Sequence, residues 1–432
     1  MPVTGSAIER DAPRLVLSFA LLSPTRAPAQ PLTEGSPVLL SPVGHDDRMR
    51  VLFSSPSALG HVHPMVPLAR AFQHRGHDVR WATGPDACNR VEQAGITAVP
   101  IGLSAREGRA EYWRRYPDAK DLPGEQLPAH MFPKMFGAVN TPPRFADLLP
   151  LTRQWRPAMV VHDAAEFAGP IAAAAIGVPH ITHAYGALVP EARVAAAAEE
   201  VAPLWAEVGL EPRPYGGSYD HLYLDIYPPA LQPPGGDHVG RRQLLRPVPF
   251  DGSSGEGLPP EFAGNPDWPV VYLTFGTVFN DNDTFRAALA GIRDLNVRLI
   301  VTVGPDADPV AFGSQPTNVV LERYIPQTLL LPVCDVVASH AGSGTVLASL
   351  GFGIPQLCMP QAADQFANAA AVTNARAGIA IRTDRADPAT IADAVSQLLH
   401  EPDYRRNSRI VADQIASMPT PDSVAALLES FA

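Results

Sequence analysis

The stretch His340-Ala341-Gly342-Ser343-Gly344-Thr345 lies between an apolar run, Cys334 to Ser339, and a helical pattern carried by Val346, Leu347 and Leu350. A strand feeding a small-residue turn that opens a helix leaves backbone N–H groups facing outward, and these with the helix dipole attract phosphate. His340 stands at the strand exit, where an imidazole can donate to a phosphate oxygen. The same spacing also describes an ordinary tight turn, so its meaning depends on what surrounds it. A second reactive group, Gly60-His61-Val62-His63-Pro64, follows the first clean strand. A histidine there can move a proton near neutral pH, and a His-x-His pair can also ligate a metal.

Upstream of the turn lies Arg323-Tyr324-Ile325-Pro326-Gln327, and downstream lies Met359-Pro360-Gln361-Ala362-Ala363-Asp364-Gln365-Phe366-Ala367-Asn368-Ala369. An aromatic-Ile-Pro-Gln, a His-x-Gly turn and an Asp-Gln at a strand exit, in that order, resemble the donor-binding segment of the nucleotide-sugar glycosyltransferases of family 1. The likeness is greatest to the actinomycete natural-product (macrolide, enediyne and polyketide) enzymes of that family. It runs from about Met49 to the C-terminus and is densest from Val270 to Ala377. It implies the α/β fold called GT-B, with two Rossmann-like βαβ domains facing across a cleft.

Sugar transfer needs a base for the acceptor hydroxyl and charge stabilisation for the departing diphosphate. In the family the histidine of Gly-His-x-x-Pro takes the acceptor proton, which puts the catalytic role here on His61; the alternative is a solvated loop histidine. Asp163, at the end of the Val160-Val161-His162 strand, matches the position of the family's dyad acid, where a carboxylate holds the other imidazole nitrogen. Glu166 competes for that role, and Asp163 also reads as a helix N-cap.

On the donor side the resemblance assigns the diphosphate to His340 and the N–H groups of Gly342, Ser343, Gly344 and Thr345, with a hydroxyl added by Thr277 of the Phe275-Gly276-Thr277 loop. The family stacks the nucleobase on an aromatic, usually Trp, two residues before the Pro-Gln. Here that residue is Tyr324, a smaller ring that still stacks, followed by Ile325, whose backbone reads the base edge, and by Gln327. Asp364 and Gln365 resemble the pair that contacts the sugar hydroxyls, Asp364 being also a natural helix cap. Eight residues after the motif histidine, UDP-sugar users typically carry a Glu that grips the ribose; here Ala348 stands there. Without that acceptor a ribose 2′-OH loses a hydrogen bond, so a dTDP-sugar is expected ahead of a UDP-sugar.

The resemblance thus implies an inverting transferase that moves a sugar, expected to be a deoxysugar, onto a hydroxyl of an apolar natural-product aglycone. No cofactor or metal is called for, the helix dipole and His340 standing in for one. Asp281-Asn282-Asp283 and Asp306-Ala307-Asp308 read as turn and cap residues. Two rival readings are a metal-dependent hydrolase using His61, His63 and the His180-Ile181-Thr182-His183 cluster, and a non-catalytic activator of another transferase. The presence of both His61 and Asp163 stands against the activator.

These residues need a scaffold. Residues 1–48 are Pro/Ser-rich and aperiodic apart from Leu15 to Leu22. Arg10, Arg14 and Ala27-Pro28-Ala29 have some character of a signal peptide, but Glu9 and Asp11 do not, and a disordered extension or an upstream start before Met49 is expected. Residues 49–250 read as an acceptor-binding domain. It has a strand at Arg50 to Ser55, a helix opened by Pro64, a second strand at His77 to Thr83 and a third at Ile96 to Leu103. From Ser104 to Pro150 the rhythm breaks. Tyr112, Trp113, Tyr116, Met131, Phe132, Met135 and Phe136 line either a pocket for a flat acceptor or a helix core. Ala158 to His162 and Val178 to Thr182 resume the strands, with Leu222 to Ile226 and Arg241 to Pro249 as short extended runs. Residues 251–269 are the linker. Residues 270–432 repeat the strand–helix alternation as a nucleotide-sugar-binding domain, whose last helix is a candidate to return to the first.

Composition agrees with this frame. A chain of 432 residues suits two domains of about 200 residues each, and 46% hydrophobic content supports folded structure. Acidic residues outnumber basic ones, 44 to 33, for a net charge of −11, which argues against nucleic acid as a partner. Cys88, Cys334 and Cys358 lack a Cys-x-x-Cys pattern and fit reduced thiols in a cytoplasmic protein. No apolar run approaches the ~18 residues of a membrane span. The sequence leaves the oligomeric state open, a homodimer included.

Overall fold

The structure, a computed structural model, describes residues 48–123, 126–252, 262, 267–276, 283–304 and 307–431. The N-terminal extension as far as residue 47, most of the linker, Thr277, Asp281, Asn282 and Asp306 lie outside the described residues.

Strands β1 (Arg50–Ser54), β2 (Asp78–Thr83), β3 (Thr97–Pro100), β4 (Met159–Asp163), β5 (His180–His183), β6 (Leu222–Asp225) and β7 (Arg242–Leu244) form one sheet in the order β3-β2-β1-β4-β5-β6-β7. Every pairing in it is parallel. A second parallel sheet holds β8 (Val270–Thr274), β9 (Arg298–Thr302), β10 (Val319–Glu322), β11 (Val336–Ser339), β12 (Gln356–Cys358) and β13 (Gly378–Ala380), in the order β10-β9-β8-β11-β12-β13. Val51, Leu52 and Phe53, like Val271 and Leu273, are fully buried, as strands covered by helices on both faces must be. In each sheet the order reverses once, between β1 and β4 and between β8 and β11. Open parallel sheets bind ligands beyond the carboxyl ends of the strands at such reversals.

The helices of the first lobe depart from sequence expectation in three places. The helix expected to open at Pro64 starts earlier. A short helix, α1 (Leu59–Val62), and a 3₁₀ turn, His63–Met65, precede α2 (Val66–His74). Pro64 fits the opening of the 3₁₀ turn, where its missing N–H costs nothing, so it marks a joint and not a start. His61 therefore rides on a helical turn.

After α3 (Cys88–Gln93) and β3, the stretch read as irregular is mostly helical among the described residues: α4 (Ala105–Arg115), α5 (Leu127–Met131), a π-helical stretch Phe132–Asn140, and α6 (Thr141–Trp155). A Ser104–Glu107 capping box opens α4. The Thr141 hydroxyl donates to the Phe136 carbonyl at 2.7 Å where the widened turn meets α6. Most of the candidate pocket side chains in this stretch are core: Tyr112, Trp113, Tyr116, Met131 and Met135 pack together with Ala119 and Val139. After α7 (Ala168–Ile176) comes α8 (Glu191–Glu207), which sequence reading passed over.

The second lobe carries α9 (Asp283–Arg293), α10 (Gln327–Leu330), α11 (Ser343–Gly351), α12 (Gln365–Asn374) and α13 (Pro388–His400), followed by α14 (Pro402–Ser417) and α15 (Pro421–Glu429). The last helix lies on α2 of the first lobe. Arg75 grips Glu429 with two bonds of 2.5 and 2.8 Å, and His77 Nε2 meets the same carboxylate at 2.8 Å. The apolar core around β1 continues without a break into Ala341, Val346, Leu350, Ala369 and Val424. The two reversal points are thereby held against each other.

Candidate active site

His61 comes from α1, just after β1, and Asp163 is the last residue of β4, so the two meet at the first sheet's reversal point. His61 Nδ1 lies 3.0 Å from Asp163 Oδ1. Asp163 is fully buried, and the same Oδ1 accepts the Ala165 N–H at 2.8 Å, which fixes the carboxylate; the cap reading and the dyad geometry hold together. Burial disfavours charge on the imidazole, but the charge of Asp163 and its hydrogen bond outweigh this and raise the His61 pKa above the ordinary 6.5. The His61 side chain stays 13% exposed, so the ring remains reachable. Glu166 does not compete: its carboxylate accepts the N–H groups of Ala168 and Gly169 at 2.8 and 2.9 Å and faces Arg144 at 3.5 Å.

Three neighbours surround this pair, of which only Phe136 stands among the candidate pocket aromatics of the sequence. Phe136, from the π-helical stretch, packs on the His61 ring at 5.4 Å between centroids, and Tyr185, just after β5, packs on it at 4.4 Å. Arg144 is buried, donates to the Ser55 carbonyl at 2.7 Å, and so anchors the end of β1. No sequence motif marks any of them; only tertiary packing brings them here.

At the second sheet's reversal point the chain leaves β11 through His340 and Ala341. Ala341 takes a left-handed φ of 63°, which a β-carbon disfavours. It is held there by its N–H on Ser339 Oγ at 3.1 Å and by Asn368 Nδ2 on its carbonyl at 2.9 Å. Gly342 then opens α11 with no side-chain cap, which leaves the N–H groups of the first turn, Ser343, Gly344 and Thr345, to meet an anion. His340 lies between two glycines: a β-carbon at Gly276 would fall 2.9 Å from its Cε1, and one at Gly342 would fall 2.7 Å from its Nε2. Burial pushes the His340 pKa down to about 4, so the ring is neutral at pH 7 and can offer an N–H, not a charge.

The remaining donor-side residues cluster around this turn. Gln327 Nε2 donates to Thr345 Oγ1 at 3.1 Å. Tyr324 is 49% exposed with its hydroxyl on the Asp251 carbonyl at 2.8 Å, and Ile325 is buried beside Ala348 in one apolar cluster. Asp364 does not cap α12; its Oδ2 accepts from Ser343 Oγ and from Asn368 Nδ2, both at 2.8 Å. Gln365 is buried and its side-chain Oε1 accepts the N–H groups of Gln361 and Ala362 at 2.7 and 2.9 Å, so it shapes the loop that presents Asp364. Tyr227 of the first lobe reaches across to donate to Asn368.

The two reversal points share one crevice. A β-carbon at Gly186, on the first lobe's loop after β5, would fall 2.2 Å from Ser343 Oγ and 3.5 Å from Asp364 Oδ2. The Asp364 carboxylate contributes to the raised pKa of His61 across the same gap. His61 and His63 do not act as a pair: His63 packs edge-on against Phe250 at 5.5 Å, and burial pushes its pKa to about 4.

A parallel sheet repeated in this strand order, with the two reversal points facing and a C-terminal helix returned to the first lobe, is the GT-B architecture of glycosyltransferases. The glycosyltransferase VinC, solved in complex with dTDP, matches it with a TM-score of 0.73 over 89% of this chain and 99% of that one, at 25% identity. The chain belongs to the erythromycin biosynthesis protein CIII-like family of glycosyltransferases. It matches that family's N-terminal domain over residues 70–255 and its C-terminal domain over residues 286–431. It is 32% identical to the L-demethylnoviosyl transferase of Streptomyces niveus, over 87% of this chain and 97% of that one. It is 29% identical to the tylactone mycaminosyltransferase of Streptomyces fradiae, over 88% and 92%. This membership sets aside the hydrolase and activator readings. Among the described residues, no helix is long and apolar enough to cross a membrane.

Proposed function

We propose that the protein transfers a deoxysugar from a dTDP-sugar to a hydroxyl of an apolar natural-product aglycone, with inversion and without a metal ion. The observation that carries this reading is the His61–Asp163 contact of 3.0 Å at one reversal point, facing the uncapped start of α11 at the other. Asp163 accepts the Nδ1–H of His61, which leaves Nε2 as the base for the acceptor hydroxyl. The acceptor oxygen attacks the anomeric carbon as the bond from that carbon to the diphosphate oxygen breaks on the opposite face. An α-linked donor then yields a β-glycoside. The proton passes to His61, whose imidazolium Asp163 stabilises. The charge gathering on the diphosphate meets the N–H groups at Gly342, Ser343, Gly344 and Thr345, the α11 dipole and the neutral N–H of His340.

In this reading Tyr324 carries the base with Ile325 beneath it, Gln327 steadies Thr345, Thr277 adds a hydroxyl, and Asp364 binds the sugar from the loop that Gln365 shapes. Phe136 and Tyr185 around His61 favour an apolar acceptor. The choice of dTDP rests on Ala348, which is buried among apolar side chains and offers no acceptor to a ribose 2′-OH. The dTDP-bound relative and relatives named for noviosyl and mycaminosyl transfer point the same way. A thermal-shift panel of dTDP, UDP, GDP and ADP tests it. Stabilisation by dTDP above the others is expected, and a response to UDP alone overturns the nucleotide assignment.

A further inference from the structure

The loop that follows β5 bridges the two halves of the site, and its residues belong to no motif of the donor segment. Tyr185 lies against the proposed base at 4.4 Å between ring centroids, tilted by 51°. The next residue, Gly186, abuts Ser343 and Asp364 of the opposite lobe so closely that a β-carbon would fall 2.2 Å from Ser343 Oγ. Two consecutive residues thus span the distance between the group that takes the acceptor proton and the turn that takes the diphosphate. The transferred sugar must occupy that interval, since its anomeric carbon is bonded to the diphosphate oxygen held at the turn before transfer and to the acceptor oxygen beside His61 after it.

Resting on the function proposed above, we infer that Tyr185 is a specificity-determining residue that donates a hydrogen bond to the transferred sugar, while Gly186 sets the approach of the two lobes around it. Burial and the nearby carboxylates of Asp364 and Asp163 hold the phenol well above its ordinary pKa of 10, so it stays a donor across the working pH range. Its hydroxyl forms no hydrogen bond among the described residues, although its ring is packed into the apolar core on both sides. A donor at the seam between the His61 ring and the Ser343–Asp364 turn suits a ligand rich in oxygen. The ring face serves the sugar's C–H edges and keeps the imidazole in line.

The test separates the sugar contribution from the nucleotide contribution. Dissociation constants for dTDP, dTDP-glucose and dTDP-rhamnose are measured by calorimetry on wild type, Tyr185→Phe and Gly186→Ala. Tyr185→Phe keeps the ring against His61 and removes only the hydroxyl. It is expected to weaken the tighter-binding dTDP-sugar by about 3- to 10-fold, the usual yield of one hydrogen bond, and to leave dTDP unchanged. Gly186→Ala is expected to weaken dTDP and both dTDP-sugars together, because it displaces Ser343. Equal affinity of wild type and Tyr185→Phe for both dTDP-sugars overturns the inference, as does a parallel loss for dTDP itself, which would mark a structural role. If wild type binds none of the thymidine nucleotides, the functional reading fails instead, which is a different result.

Discussion

Replacing Asp163 by Asn tests the proton-transfer half of the site with the smallest change in shape. The Asn carbonyl can still accept the Ala165 N–H and the His61 Nδ1–H, which now meet at Oδ1 at 2.8 and 3.0 Å. Only the charge is lost. Around His61 there then remain burial and Arg144, both lowering its pKa, against Asp364 alone raising it, so the pKa should fall below the ordinary 6.5. A base weakened in this way loses both driving force and the stabilised imidazolium. General-base catalysis is worth about 10²- to 10⁴-fold, so a drop in kcat of roughly 10² to 10³ is expected with the donor KM little changed.

The wild-type rate should decline as pH falls through the raised pKa of His61, and the acid limb of the variant should move below pH 6.5. The assay is the single-turnover rate against pH with saturating donor. Folding is checked in parallel, because the new amide N–H₂ replaces Oδ2, which is buried with no partner among the described residues, at a cost of about 1 to 3 kcal/mol. The ion pair stabilises the fold most below the unfolded pKa and less as pH rises through the folded one, so the variant should lose more stability at pH 6 than at pH 8. An unchanged plateau with an unmoved acid limb would refute the dyad.

Two further outcomes follow from the same geometry. Gly342→Ala drives a methyl to 2.7 Å from His340 Nε2 and should weaken dTDP binding by about tenfold or more in calorimetry, whereas Gly351→Ala, with nothing within 4 Å, should leave it unchanged. His162, His180 and His183 are buried and have lowered pKa values, burial being the leading cause in each, with His183 at about 4. In the unfolded chain they take up protons below about pH 6.5. Each therefore removes up to about 1.4 kcal/mol of stability per unit as pH falls from there, against the opposing contributions of His61 and of Asp220 and Asp225, whose carboxyl pKa values burial raises. Urea midpoints at pH 7, 6 and 5 should fall steadily, and a flat series would mean these rings are protonated in the folded state.

The sheets were legible because a parallel strand covered on both faces must be apolar along its length, and Val51-Leu52-Phe53 and Val271-Tyr272-Leu273 read that way without any partner in view. The helices of residues 105–155 were not legible. Pro133, Pro142, Pro143 and Pro150 punctuate them in sequence, yet the first three fall in opening turns, where the missing N–H is unneeded, and only Pro150 interrupts a helix interior. The helix α8 escaped notice for a similar reason. Pro203 lies inside it and its run of alanines blurs the apolar stripe, although Val194, Ala197, Val201, Leu204 and Trp205 do line its buried face.

The site divides along the same line. His61, Asp163 and His340 each stand where a strand ends, a place the order of the chain specifies, and the reversal of strand order then carries them together without long-range information. Asp364 was named for its position, but the sequence left its local task open between cap and ligand. The structure gives its carboxylate to Ser343 and Asn368, and Asn368 in turn accepts from Tyr227 of the other lobe. That chain of bonds, with Gly186 against Ser343, joins residues far apart in sequence through contacts that no spacing rule encodes. The chemistry of each half is therefore local and readable, whereas the distance between halves, on which the transfer depends, is set by a glycine and an amide whose types are unremarkable until the lobes are closed around them.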